Sequence, residues 1–95
     1  MAIALGGNIV LEGFESRDFT ELIVVKKIVG QYARRLTDAH GEFSRLDVTL
    51  TQDGGHTIAC TLAAGGKEQH TSSSAHNIYV ALDDALKQLA AKMAR

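Results

Sequence analysis

The residues of this 95-residue chain best suited to chemistry are its lysines and arginines. Seven of the ten fall in two stretches with helical periodicity. In the first stretch they are Lys26, Lys27, Arg34 and Arg35, and in the second they are Lys87, Lys92 and Arg95. Ammonium and guanidinium groups bind anions, phosphate above all. The formal net charge of −1 argues against indiscriminate attraction to polyanions, so an anion-binding surface would have to be a local patch.

Histidines and carboxylates give weaker signals. The four histidines are His40, His56, His70 and His76. None has the i, i+4 spacing with which a helix presents two metal ligands, and three fall in predicted loops or at element ends, so we expect no metal site. Asp83 and Asp84 are adjacent and point to different sides of a predicted helix, which makes them poor partners for a shared proton.

Sequence motifs of enzymes are also missing. The chain has no glycine-rich phosphate loop, no dinucleotide-binding glycine turn and no nucleophile elbow, so we expect no cofactor and no enzymatic activity. Cys60 is the single cysteine, which excludes an internal disulfide, and its place between Ile58 and Leu62 predicts a small buried side chain. Without a membrane-length apolar run or a secretory signal, we expect a cytoplasmic protein.

Two stretches carry apolar residues at steps of three and four, as amphipathic helices do. Between Asn77 and Met93 the apolar positions are Ile78, Leu82, Ala85, Leu86, Leu89 and Met93. In the earlier stretch they are Leu22, Val25, Val29, Tyr32 and Leu36, with Phe19 and Ala33 at the margins. Asn77 can cap the second helix, and Asp18 with Glu21 resembles a capping box for the first. Each helix needs a surface that covers its apolar side.

The cations of the first helix fall away from its apolar side. Helical spacing places Lys27 and Arg34 on the exposed side, with Lys26 and Arg35 on its flanks. Gly30 and Gln31 lie between Lys27 and Arg34. The missing side chain of Gly30 could admit a phosphate backbone, could admit a second protein surface, or could have no role. A charged helix face is most often simply solvated.

The remaining segments predict strands. Residues 8–14 suit a first strand, and residues 1–7 before it are predicted as a frayed or disordered end. Residues 45–51 and 56–63 alternate apolar and polar side chains around Asp53-Gly54-Gly55, which indicates a hairpin. Residues 67–73 suit a weaker, polar edge strand. The 95 residues are therefore expected to form one α+β domain, a two-layer sandwich of β-α-β-β-β-α order with two helices on one face of a four-stranded sheet.

With this layout, the chain resembles the ribosome hibernation-promoting factor and ribosome-associated inhibitor family, also called sigma-54 modulation proteins. The run from Asn77 to Asp83, Asn-Ile-Tyr-Val-Ala-Leu-Asp, is similar to the Asp-Met/Leu-Tyr-x-Ala-Ile-Asp signature that opens the family's last helix. Leu86 to Leu89 follows where the family has a Lys-Leu pattern. The segment from Phe43 to Leu50 is similar to the family's second strand.

The resemblance implies a small factor that binds the small ribosomal subunit through ribosomal RNA, inhibits translation and stores idle ribosomes during stress. It also implies that basic residues on both helices face the RNA. The corresponding positions here are Lys26, Lys27, Arg34, Arg35, Lys87, Lys92 and Arg95. The alternative function is a non-catalytic protein-interaction module of the same fold, forming a homodimer through the open sheet face or the polar edge strand.

Overall fold

The order of helices and strands agrees with the prediction from residue 8 onward. The computed structural model describes residues 2–5, 8–14, 17–40, 43–52 and 54–93. The elements are β1 (Ala2–Leu5), β2 (Ile9–Glu12), α1 (Phe19–His40), β3 (Arg45–Gln52), β4 (His56–Ala64), β5 (Lys67–Ala75) and α2 (Ile78–Met93). Within these ranges, no helix combines the length and apolarity needed to cross a membrane.

The sheet has five strands in the order β1-β2-β3-β4-β5, so the prediction of four strands was wrong by one. The additional strand is β1, in the segment predicted as a frayed end, and it pairs antiparallel with β2 so that Ile3 lies opposite Leu11. A strand of four residues is too short for its alternation to stand out in a sequence. The pair β2 and β3 is parallel, with α1 as the connection, whereas β3-β4 and β4-β5 are antiparallel hairpins.

Both helices bury their apolar sides on one face of the sheet, as predicted. The sheet residues buried there include Leu11, Leu46, Val48, Leu50, Ile58, Cys60 and Leu62. The helix residues buried against them are Val25, Val29, Ala33, Leu36, Ile78, Ala81, Leu82, Ala85, Leu86 and Leu89. One predicted margin residue departs from this pattern: Phe19 is 73% exposed. The described chain therefore has one core between a helical layer and a sheet.

The helix starts are fixed by side chains near each first turn. The side-chain oxygen of Asn77 accepts hydrogen bonds from the backbone nitrogens of Tyr79 at 2.8 Å and Val80 at 3.3 Å, which confirms it as the cap of α2. At α1, the carbonyl of Asp18 accepts the first helical bond from Leu22. The guanidinium of Arg17 donates a hydrogen bond to the carboxylate of Glu21 at 2.7 Å. This hydrogen bond lowers the pKa of Glu21, and a backbone hydrogen bond with Asp18 adds to the effect.

The polar edge strand β5 is held to α2 by hydrogen bonds. The buried hydroxyl of Thr71 donates to the carbonyl of Ala85 at 2.8 Å. A buried hydroxyl without a partner would cost about 1–3 kcal/mol, so this bond matters more than an exposed one. Nearer the surface, Gln88 donates to the carbonyl of Ser72 at 3.2 Å, and Lys92 donates to the carbonyl of His70 at 2.8 Å. These hydrogen bonds attach β5 to α2, because the strand has few apolar side chains that could pack into the core.

Gly13 allows a close crossing of the chain after β2. Its backbone has a φ of +84°, in the left-handed region that favours glycine. A Cβ atom added at Gly13 would lie 2.2 Å from the carbonyl oxygen of Leu50 in β3. Gly30 in α1 differs, because a Cβ there would have no neighbour within 4 Å.

Gly13→Ala and Gly30→Ala should therefore change stability in opposite directions. Gly13→Ala should lower the free energy of unfolding by about 2 kcal/mol or more, since left-handed strain of about 1–2 kcal/mol adds to the clash with Leu50. Gly30→Ala should raise it by about 1 kcal/mol, because alanine favours a helix interior over glycine. Urea unfolding of the three proteins measures both changes. A Gly13→Ala protein as stable as the wild type would contradict the close crossing.

Cys60 should make stability depend on pH in the alkaline range. Burial raises the pKa of its thiol to about 12, whereas the exposed thiol of the unfolded chain titrates near 9.0. Above pH 9 the unfolded chain then holds fewer protons than the folded one, so its stability falls as pH rises from about 9 to about 12.

Between pH 8 and pH 10 the loss due to this thiol should reach roughly 1.4 kcal/mol. The measurement is urea unfolding at both values for the wild type and for Cys60→Ala. Every other titrating group is common to the two proteins, so the difference between their pH dependences isolates the thiol. Parallel pH dependences would show that Cys60 titrates normally in the folded state.

Candidate functional site

The exposed side of α1 is set by its buried side. Because Val25, Val29 and Leu36 pack into the core, positions on the opposite side of the helix must face outward. Lys27, Gly30 and Arg34 fall there, separated by steps of three and four, and all are exposed. The structure therefore confirms the predicted placement of Lys27 and Arg34 on the outer face of α1.

The outer face of α1 forms a shallow depression of about 600 Å³. It is lined by Lys26, Lys27, Gly30, Gln31, Arg34, Arg35 and Asp38. We call this set the α1 depression. Gly30 forms its floor, since no side chain fills the space above the helix backbone and nothing lies within 4 Å of where a Cβ would be. The lysines and arginines stand on either side of this glycine along the chain.

The electrostatic balance of the α1 depression is strongly positive. Four cations face one carboxylate, that of Asp38. In the described ranges, none of these four cations lies within 4.0 Å of a carboxylate oxygen. Two arginines outside the depression do form ion pairs: Arg17 with Glu21 at 2.7 Å, and Arg45 with Asp47 at 2.8 Å. The four positive groups therefore remain available to an external anion.

Arg35 connects the α1 depression to the seam between the helices. Its guanidinium lies 5.2 Å from the centre of the Tyr32 ring, a cation–π distance. The Tyr32 hydroxyl donates to the carboxylate of Asp83 on α2 at 2.9 Å. Partial burial, reinforced by this carboxylate, raises the pKa of Tyr32, so its hydroxyl stays protonated at neutral pH and continues to donate. These contacts orient Arg35 and fasten α1 to α2.

The predicted cations of α2 do not join the α1 depression. Lys92 is directed toward β5, where it donates to the His70 carbonyl. Lys87 is exposed on α2, one turn beyond Asp83. Hydrogen bonds from Ser73 and Gln88 lower the pKa of Asp84, and the nearby charge of Lys87 adds to this effect. Arg95 lies outside the described residues.

The predicted set thus divides by helix. Lys26, Lys27, Arg34 and Arg35 surround one depression, while Lys87 and Lys92 lie elsewhere on the helical layer. Lys92 donates to a carbonyl of the edge strand, because that carbonyl lies within reach of its side chain. Helical periodicity gives the side of a helix but not the neighbouring element that a flexible side chain meets.

Gln31 lines the α1 depression, as its position between Lys27 and Arg34 predicted. Asp38 also lines it and was not predicted, although its spacing of four from Arg34 could have identified it. In the described part of the chain, no group of three or more histidine, cysteine or acidic residues is arranged to hold a metal ion. The α1 depression presents mainly nitrogen donors with full positive charge, which suits electrostatic capture of phosphate groups.

Comparison with known proteins identifies the fold. No protein-family model matches the sequence, and no curated protein sequence matches it significantly. Solved structures do match. The N-terminal domain of Protein Y from Thermus thermophilus superposes with a TM-score of 0.73 at 17% sequence identity, covering 93% of this chain and 93% of that one.

A second similar structure is a ribosomal subunit interface protein from Coxiella burnetii. It superposes with a TM-score of 0.70 at 8% sequence identity, and the match covers 90% of each chain. Both matches span nearly the whole length of the chains involved, so the likeness includes the helical layer as well as the sheet. The chain has the fold of these two proteins.

Proposed function

We propose that this protein binds the small ribosomal subunit in the cytoplasm through ribosomal RNA, inhibits translation and stabilises idle ribosomes under stress. The observation that carries the proposal is the α1 depression, in which four cations without a carboxylate partner among the described residues surround an open glycine. Support also comes from the fold, which is shared with a protein named for the ribosomal subunit interface. We take Lys26, Lys27, Arg34 and Arg35 as the RNA-binding residues, with Lys87 as an outer contact.

The α1 depression fits a folded RNA better than a small anion. From Lys26 to Arg35 the helix advances nine residues, or about 14 Å, so several successive phosphates can lie along it. Gly30 leaves room for the sugar-phosphate backbone to approach the helix. Binding of this kind depends on charge and shape, with little reading of base edges, as is common for proteins that bind structured RNA.

The alternative, a homodimer through the open sheet face or β5, has less support. On the open face Thr57 and Ser74 hydrogen-bond each other at 2.8 Å, so these side chains already have partners within the chain. At β5 the α2 side chains Gln88 and Lys92 already occupy two backbone carbonyls. A second copy that paired with this strand would have to displace them.

Reversing charge in the α1 depression should abolish ribosome binding. In a sucrose gradient at low salt, the wild type should sediment with purified small subunits, and Lys27→Glu/Arg34→Glu should remain at the top. Both side chains are exposed, so the double variant should fold normally by circular dichroism.

The matched control is Arg45→Glu/Lys67→Glu, which makes the same change in net charge at exposed positions outside the depression. It should still sediment with small subunits. Equal loss in both double variants would mean that net charge matters and the α1 depression does not. A ribosome-free dimer of the wild type in the same gradient would favour the alternative.

Salt should weaken binding in proportion to the phosphates that the protein contacts. If the four α1 cations each neutralise one phosphate, a plot of log affinity against log salt concentration should have a slope of about −2.8 to −3.6. Lys27→Ala should make this slope shallower by about 0.7–0.9, because one phosphate contact is lost. Fluorescence anisotropy of labelled protein titrated with small subunits measures the slope, and a salt-independent affinity would exclude phosphate neutralisation as the mechanism.

A further inference from the structure

Phe19 is an aromatic side chain that the fold leaves outside the core. It is the first residue of α1 and is 73% exposed, although helical spacing places it at the margin of the apolar side. Burial of a phenylalanine side chain stabilises a folded protein, and the folded monomer forgoes most of that stabilisation at Phe19. Ile23, one turn further along, is 52% exposed and extends the same apolar surface.

Phe19 is aligned with the α1 depression. Steps of four, four, three and four residues lead from Phe19 through Ile23, Lys27 and Gly30 to Arg34, so all five lie on one side of the helix. Phe19 and Lys27 are eight residues apart, or about 12 Å along the axis. One end of this helix side is therefore apolar and aromatic, and the other end is cationic.

We propose that Phe19 is a stacking platform for an unpaired base of the RNA whose phosphates occupy the α1 depression. This inference rests on the function proposed above and adds a base contact to its phosphate contacts. Aromatic rings beside a cationic groove are the usual means of holding single-stranded nucleic acid, since every base has a flat face that can stack. Unstacked bases in loops and bulges of structured RNA are the targets such rings reach.

The apolar surface is better suited to a base than to a protein partner. The exposed large apolar side chains at this end of α1 are Phe19, Ile23 and Val24, far fewer than the 20–30 residues that each side of a stable protein interface usually contributes. The adjoining surface carries four cations, which complement a phosphate chain continuous with the stacked base. A protein partner would have to supply acidic groups at the same spacing.

Three substitutions of Phe19 separate stacking from simple apolar contact. Against small ribosomal subunits, Phe19→Ala should weaken binding between about fivefold and 150-fold, the range expected for the loss of one stacked base. The slope against salt should stay unchanged, because no charge is removed. Phe19→Trp should bind as tightly as the wild type, and Phe19→Leu should bind as weakly as Phe19→Ala. Full binding by Phe19→Leu would overturn stacking and indicate an apolar pocket in a ribosomal protein.

A spectroscopic signal tests the contact itself. The chain has no tryptophan, so 5-hydroxytryptophan placed at position 19 is a single reporter that can be excited apart from the tryptophans of the ribosome. Stacking on a base should quench its emission on binding, whereas burial in an apolar protein pocket should shift the emission to shorter wavelength without quenching. The same reporter at Ala59, exposed on the opposite face of the sheet, is the control and should not change.

The two proposals fail in different ways. If the wild type binds small subunits in a salt-dependent manner while Phe19→Ala binds equally well and the reporter is unquenched, the stacking inference is wrong and the ribosomal proposal stands. If the wild type does not bind small subunits, or if Lys27→Glu/Arg34→Glu binds normally, the α1 depression is not the site and the stacking inference falls with it.

Discussion

Burial of one side of α1 against the sheet is the constraint on which the site depends. Val25, Val29 and Leu36 lie in the core, and a helix with 3.6 residues per turn must then direct the intervening positions outward. The same packing that stabilises the domain therefore positions Lys27 and Arg34. A site on a packed helix is also more rigid than one on a loop, so little ordering of the backbone is required when an RNA binds.

The two helices contribute unequally because their neighbours differ. The polar edge of α2 lies along β5, and a strand rich in serine and threonine is held through hydrogen bonds where apolar contacts are few. Gln88 and Lys92 are engaged there, so the charge of Lys92 acts within the fold. In the described part of the chain, no strand lies beside the outer side of α1, and its cations stay accessible. The arrangement of layers thus separates structural cations from those available for binding.

The sequence was sufficient to predict most of the fold, because its apolar periodicities are long and consistent. Apolar and polar side chains alternate strictly in β3 and β4, and the apolar side chains of α2 lie on one side of the helix. Few other folds are compatible with these patterns. β1 was missed because four residues carry too little pattern. For the site, periodicity placed the α1 cations correctly, whereas the direction of Lys92 and the exposure of Phe19 depend on neighbours that only the tertiary structure supplies.

The separation of charges has a consequence for how the molecule approaches a partner. One side of a molecule with a net charge of −1 carries four accessible cations, while Arg17 and Arg45 are neutralised locally by Glu21 and Asp47. Such a molecule has a local concentration of positive charge on the outer face of α1 although its net charge is negative. Near a polyanion the molecule should rotate before contact so that α1 faces the polyanion, which raises the fraction of productive collisions. The net charge of −1 should limit non-specific binding to other nucleic acids.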